Sequence, residues 1–366
     1  MTQHALNRRG FLAGAAGTAI LAASARRAMA AETVVGMIYV GPRDDFGWNQ
    51  AHAVGAQALK DLPGVTVVEE ENVPESVAVS KTMQSMIELD GASLIFATSF
   101  GYFDPFMVEL AAKYPEVQFR HPTSLWSADK HPMNLGGYFC YIEQAHYVNG
   151  VAAGLSTTSN KIGFVGAKPI SVVLRNINAF MMGVRSTNPD AKVQLIMTGE
   201  WSLPVREAES VNALVDAGCD VIACHVDSAK VVIETAEARG VKTCGHNADQ
   251  SSLAPRGFIT GAELKWGTVY KQYAQMISAG ETLPNVNEGG FDKDMVANSP
   301  FGAGASEAAR KAATEAAARI KAGSPIFLGP IVTNTGEVIS QTTMELYDPK
   351  LWAMDYLLDG VEGSTI

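Results

Sequence analysis

Residues 217–250 read AGCDVIACHVDSAKVVIETAEARGVKTCGHNADQ, and they hold helix end, strand, helix and strand in 34 residues. The stretch Asp220–Ala223 reads as the short apolar run of a strand buried on both faces of a parallel sheet. Ser228–Arg239 then places Ala229, Val232, Ile233 and Ala236 on one face, at the i, i+3, i+4, i+7 spacing of a core-facing helix. Gly240 ends that helix, and Val241–Cys244 enters the next strand. Polar residues gather just past each strand: His225 and Asp227 after the first, His246, Asn247, Asp249 and Gln250 after the second. In an open parallel sheet those ends form a ligand crevice, because connecting loops and helix N-termini converge there. A second reading of Asp227 is a cap for the helix that follows.

The same alternation runs outward in both directions. Thr33–Val40, Val65–Glu69, Ser93–Thr98 and Val117–Phe119 read as strands, separated by helices marked by Ala53, Val54 and Leu59, by Val79, Met83, Met86 and Ile87, and by Phe106, Leu110 and Ala111. A second half starts near Lys161, with strands at Ile162–Val165 and Val193–Met197 around a helix carrying Val173, Leu174, Ile177, Phe180, Met181 and Val184. Lys265-Trp266 begins another helix, and Glu307–Lys321 is Ala-rich and helical. This is an α/β pattern of two doubly wound parallel-sheet halves. Neither half carries a GxGxxG, GxxxxGK[ST] or GxSxG motif.

The first 30 residues read as an address. Asn7-Arg8-Arg9-Gly10-Phe11-Leu12 is close to a twin-arginine export signature, a weakly apolar run follows to Ala25, and Ala28-Met29-Ala30 is an A-x-A cleavage site. The run is shorter than the roughly 20 apolar residues a membrane span needs. Cleavage would remove four arginines and no acid, taking the net charge from −10 to −14. So acidic a chain, with no Lys/Arg cluster, is unsuited to nucleic acid or to an anionic membrane. Its four cysteines (140, 219, 224 and 244) are too few for a disulfide scaffold, and no Cys/His spacing resembles a zinc site. No cofactor is expected.

Four loops past strand ends hold the informative side chains: Asp45, Phe46, Trp48 and Asn49; Ser99, Phe100 and Asp104; Trp201; and the polar set at 225–250. Aromatic rings beside carboxylates and amides suit a flat ligand with polar edges, stacked on its faces and hydrogen-bonded at its rim. His225 with Asp227, or His246 with Asp249, would be the acid/base pairs of a rival, an exported nucleoside hydrolase. No activated nucleophile accompanies either pair.

Longer matches accompany these loops: Phe46-Gly47-Trp48-Asn49-Gln50, Lys113-Tyr114-Pro115-Glu116-Val117-Gln118-Phe119, Arg175-Asn176-Ile177-Asn178-Ala179-Phe180, Gly245-His246-Asn247-Ala248-Asp249-Gln250 and Phe327-Leu328-Gly329-Pro330-Ile331. With them the chain resembles the basic membrane protein (Bmp) family of periplasmic substrate-binding proteins of ABC importers, which includes purine-nucleoside receptors. The resemblance implies a type I periplasmic-binding-protein fold, two lobes joined by three crossings. Residues 31–157 with 262–300 would form one lobe and 158–261 with 301–366 the other, with hinges near Ser156–Lys161 and Thr260–Leu264. It also implies a monomeric, non-enzymatic receptor that closes on a purine and delivers it to a permease and ATPase in the inner membrane. A sensor subunit for a membrane receptor is the alternative. By this likeness Trp48 and Trp201 stack the purine and Asn49 reads its edge; the further hydrogen bonds that affinity needs are expected from Asn178, Asp227 and Asp249. Asn247 stands where nucleoside receptors carry a sugar-side acid, while Lys265 keeps their lysine. A nucleobase is therefore expected ahead of a nucleoside.

Overall fold

The computed structural model describes residues 33–365, so the twin-arginine segment and its cleavage site lie outside the described residues. In chain order β1 (Thr33–Ile38), β2 (Val65–Glu70), β3 (Leu94–Ala97), β4 (Gln118–His121) and β5 (Leu135–Cys140) build one sheet. A second is built by β6 (Lys161–Gly166), β7 (Lys192–Met197), β8 (Val221–His225), β9 (Lys242–Asn247) and β10 (Phe258–Leu264). β11 (Val286–Gly289) returns to the first sheet and β12 (Val296–Asn298) to the second. β13 (Ile331–Val332) and β14 (Val338–Ser340) pair with each other, and β15 (Val361–Glu362) joins the second sheet beside β7.

The orders are β11-β5-β4-β3-β1-β2 and β12-β10-β9-β8-β6-β7-β15. All neighbours in these two sheets run parallel except β10 and β12. Each sheet thus reverses direction of growth at an equivalent point, between β1 and β3 and between β6 and β8. Such a switch point opens a crevice beyond the strand C-termini. The helices are α1 (Trp48–Lys60), α2 (Val77–Glu88), α3 (Val108–Lys113), α4 (Glu143–Gly154), α5 (Ser171–Thr187), α6 (Pro204–Asp216), α7 (Lys230–Ala238), α8 (Trp266–Ser278) and α9 (Glu307–Lys321).

The stretch 217–250 folds as read, with longer strands. β9 continues to Asn247 because His246 and Asn247 pair with Ala262 and Glu263 of β10, which draws these polar residues into the ladder. Asp227 does not cap α7, whose N-cap is Ala229 with no capping side chain. The sequence pattern missed β5, β11 and β12, and also α4 and β10. α4 is buried along its whole length, including Glu143, Gln144, His146 and Asn149, so no polar face marks its period. β10 takes in residues 260–264, expected as a hinge, because they pair with β9 and β12.

α4 lies against α5, β10, β12 and α9, and so packs with the second sheet from residue 143 onward. α4 and α5 cross with backbones in contact: a Cβ on Gly150 would lie 2.0 Å from the Phe180 carbonyl, and one on Gly183 2.0 Å from that of Tyr147. α8 packs instead on α1 and β1 of the first sheet. The chain therefore passes between the two units near residues 140–143, 264–266 and 289–296. All four cysteines are buried and free.

Candidate functional site

The two switch points face each other across a cleft of about 580 Å³, within the roughly 300–1,000 Å³ of small-molecule sites. Loops after the strands of both sheets line it. Trp48, Ser99, Phe100 and the 122–125 loop come from the first, and Trp201, Asp227, His246 and Asn247 from the second. The start of α5, Ile170 to Asn176, forms one wall. Phe139, Trp266 and Trp352 add three more rings.

The lobes touch at the mouth of the cleft. The Trp48 amide donates to the Asp227 carbonyl at 2.8 Å, Ser228 Oγ to the Asp45 carbonyl at 2.8 Å, and Gln250 Nε2 to the Phe46 carbonyl at 2.6 Å. Only a glycine fits at 47, where a Cβ would sit 1.8 Å from the Asp227 oxygen. The Asp227 amide in turn donates to the Trp201 carbonyl at 2.8 Å, so one backbone chain of bonds ties both tryptophans to Asp227. Trp48 is fixed by its indole N–H on the Thr98 carbonyl at 2.6 Å and by edge contacts to His52 and Trp266, centroids 4.6 and 5.8 Å apart.

The Asp227 carboxyl finds no hydrogen-bond partner among the described residues, and its remaining exposure is to the cleft. Burial, then the charges of Asp45, Glu75 and Glu207, push it up to about 8, against a small opposing pull from Lys168. Beneath it His225 contacts His246 at 4.2 Å between centroids, and His146 Nε2 meets His246 Nδ1 at 2.9 Å. Burial, then the Arg175 charge, lowers His225 to about 3, and burial holds His146 and His246 well below the usual range. All three are neutral at pH 7. Asn176 Nδ2 donates to His225 Nδ1 at 2.7 Å, which leaves the His225 proton on Nε2.

Of the residues expected to bind, Trp48, Ser99, Phe100, Trp201, Asp227 and Asn247 line the cleft. The other six lie outside its lining. Asp45 holds the start of α1, accepting from the amides of Gly47, Asn49 and Gln50 at 2.8–3.1 Å. Asn49 is buried between Asp45 and the Gly41 amide. Phe46 gives its amide to Gln50, and the Lys230 ammonium lies 5.6 Å from its ring. Asn178 is committed to the C-terminal segment, through the Tyr356 carbonyl at 2.8 Å and the Leu358 amide at 2.9 Å. Asp249 is exposed and accepts from the Ser251 amide at 2.9 Å; Lys265 pairs with Glu263 at 3.4 Å. Neither His–Asp pair forms: His225 bonds Asn176, and Asp249 bonds backbone. Arg175, Asn176, Trp266 and Trp352 line the cleft and were not among the expected ligands. Arg175 and Asn176 open the Arg175–Phe180 match, which was the available signal.

Sequence and structure comparisons agree on where such an architecture belongs. A purine-binding protein of Brucella abortus (strain 2308) is 34% identical over 332 residues, 90% of this chain and 92% of that protein. A putative ABC transporter glucose-binding protein of Haloferax volcanii is 34% identical over 260 residues, 70% of this chain and 62% of its own length. An ABC transporter solute-binding protein of Conexibacter woesei superposes with a TM-score of 0.68 over 79% of this chain and 96% of that one, at 22% identity, and the shared fold is the type I periplasmic-binding-protein fold. The family profile for ABC transporter substrate-binding proteins of the PnrA-like kind matches residues 32–321. This chain belongs to that family, Bmp, whose members bind a small molecule outside the cytoplasm and work with permease and ATPase components.

Proposed function

We propose that the protein is a periplasmic receptor that closes on a purine, a nucleobase ahead of a nucleoside, and presents it to an ABC importer without chemical change. The observation that carries this reading is the Asp227 carboxyl, unpartnered inside the cleft and joined through backbone to tryptophans from both lobes. A flat heterocycle stacked on Trp48 or Trp201 gains about 1–3 kcal/mol per face. Micromolar affinity needs about 8 kcal/mol, so hydrogen bonds at the ring edge must supply much of the rest, and Asp227, Asn176 and His225 Nε2 are placed for it. The name of the Brucella relative supports a purine. The base is favoured because Asn247 replaces an acid and Lys265 is turned to Glu263, which leaves no charged pair for a sugar.

The lobes would turn about the crossings near 140–143, 264–266 and 289–296, with ligand favouring the closed form through contacts to both. Calorimetry on protein recovered from the periplasm, freed of bound ligand, tests the assignment against purine bases, nucleosides, sugars and amino acids. Bases should bind tightest and be recovered unchanged, and Trp201→Ala should weaken them by roughly tenfold or more. Recovery from that fraction should require Arg8 and Arg9. Tight binding confined to a sugar, as the name of the Haloferax relative would suggest, overturns the proposal.

A further inference from the structure

Arg175 brings a charge into the cleft wall that the protein itself answers only by one loose ion pair. It lies in the second turn of α5, 1% exposed, and lines the cavity. Among the described residues its one acidic neighbour is Glu143, with Nη2 and Oε2 3.9 Å apart, too long for a hydrogen bond. Burial raises the Glu143 carboxyl, which weakens it further as a counter-ion. Nε and Nη1 have no hydrogen-bond partner among the described residues. The guanidinium is held instead by rings, 4.5 Å from the centre of Trp352 and 5.1 Å from that of Phe139. Those contacts fix its plane but take none of its protons. A buried donor left this way is costly, so the arrangement calls for an acceptor from outside the protein.

Two neighbours point the same way. The first residues of α5, Ser171 and Val172, also line the cleft, and no side chain caps their amides. The Trp266 indole N–H, in the opposite wall, is buried without a partner among the described residues. The unmet donors of the cleft are thus gathered at Arg175, Trp266 and the start of α5, apart from its unmet acceptors, Asn176 Oδ1 and the Asp227 carboxyl.

We propose, building on the purine reading above, that the site selects purines bearing ring carbonyls (hypoxanthine, guanine, xanthine) over adenine, with Arg175 donating to a carbonyl oxygen. The exocyclic amine of adenine in that place would set donor against donor, the kind of mismatch that a hydrogen-bonding site rejects strongly. Calorimetry with hypoxanthine, guanine, xanthine and adenine on the native protein is the first measure. The oxopurines should bind at least roughly tenfold tighter than adenine. Arg175→Lys, which keeps the charge but loses the planar fork, and Arg175→Gln should each cost the oxopurines about tenfold or more while adenine changes by less than about threefold. A merely structural role would weaken every purine alike. If the variants do not fold, the native ranking decides. Adenine binding as tightly as the oxopurines, or an equal loss for all four bases in the variants, overturns the selectivity while leaving the purine reading intact. Absence of binding by any purine overturns both.

Discussion

Asp227 is the residue whose chemistry the surroundings have changed most visibly. Its carboxyl titrates near 8 in the folded protein against 3.8 ordinarily. Between those values the native state holds a proton that the unfolded chain has released, so this group's contribution to stability falls as pH rises through the window. Asp227→Asn removes the titration while keeping the shape. In ligand-free protein the melting temperature of the variant, relative to native, is expected to climb from pH 4 to pH 8; a difference that does not change with pH would show that Asp227 is not the group responsible. The histidine column acts in the opposite sense: His225, His146 and His246 are held neutral, so their contribution is lost as pH falls below the usual histidine value of 6.5. Comparing variant with native at each pH separates the two. At this scale the sequence was legible where a ring or carboxyl stood just past a strand, as with Trp48, Trp201 and Asp227. It was opaque where a polar side chain serves backbone, since nothing in the string tells a ligand-reading Asn49 or Asn178 from one that bonds a neighbouring chain segment. Trp352 was equally hidden, because it reaches the cleft from a 3₁₀ turn, Pro349–Ala353, far along the chain.

Elements with one apolar face announced themselves by period, and elements without one did not. β6, β7 and β8 are bounded by turns and filled with apolar residues, and their positions follow from that. α4 has no exposed side to set a rhythm, and its buried polar residues find partners such as the Gly245 carbonyl, which Asn149 reaches at 3.1 Å. Its packing on α5 rests on the paired glycines at 150 and 183. A methyl group at either must push the helices apart along their whole contact. Gly150→Ala and Gly183→Ala are each expected to cost about 1–3 kcal/mol, the range for overpacking a filled core, which denaturant unfolding would measure. Because both glycines sit in the same crossing, the double variant should cost less than the two single losses added, the first separation having made room for the second. Full additivity would mean that the two contacts are independent.

At the scale of the whole molecule the fold is two similar units that share the lining of one cleft. That organisation was readable from the doubled βαβ pattern, whereas the places where the chain crosses were not, since β11 and β12 are short and pair with strands remote in sequence. On the proposed closing motion one amide has an unusual position. Asp45 satisfies the amides of Gly47, Asn49 and Gln50 from within its own lobe, while that of Trp48 has its acceptor, Asp227, in the other. When the lobes part, this N–H loses its partner and the rest of α1 keeps its own, including Ala51 on the Gly47 carbonyl at 2.9 Å. Deuterium uptake at Trp48 therefore counts the time spent open, and a ligand that makes the open form a hundred times rarer is expected to slow uptake there about a hundredfold with little change at Ala51. Equal slowing at both positions would mean that ligand stiffens α1 as a whole. On that proposal the peptide hydrogen of Trp48 is a built-in clock for the opening that precedes release.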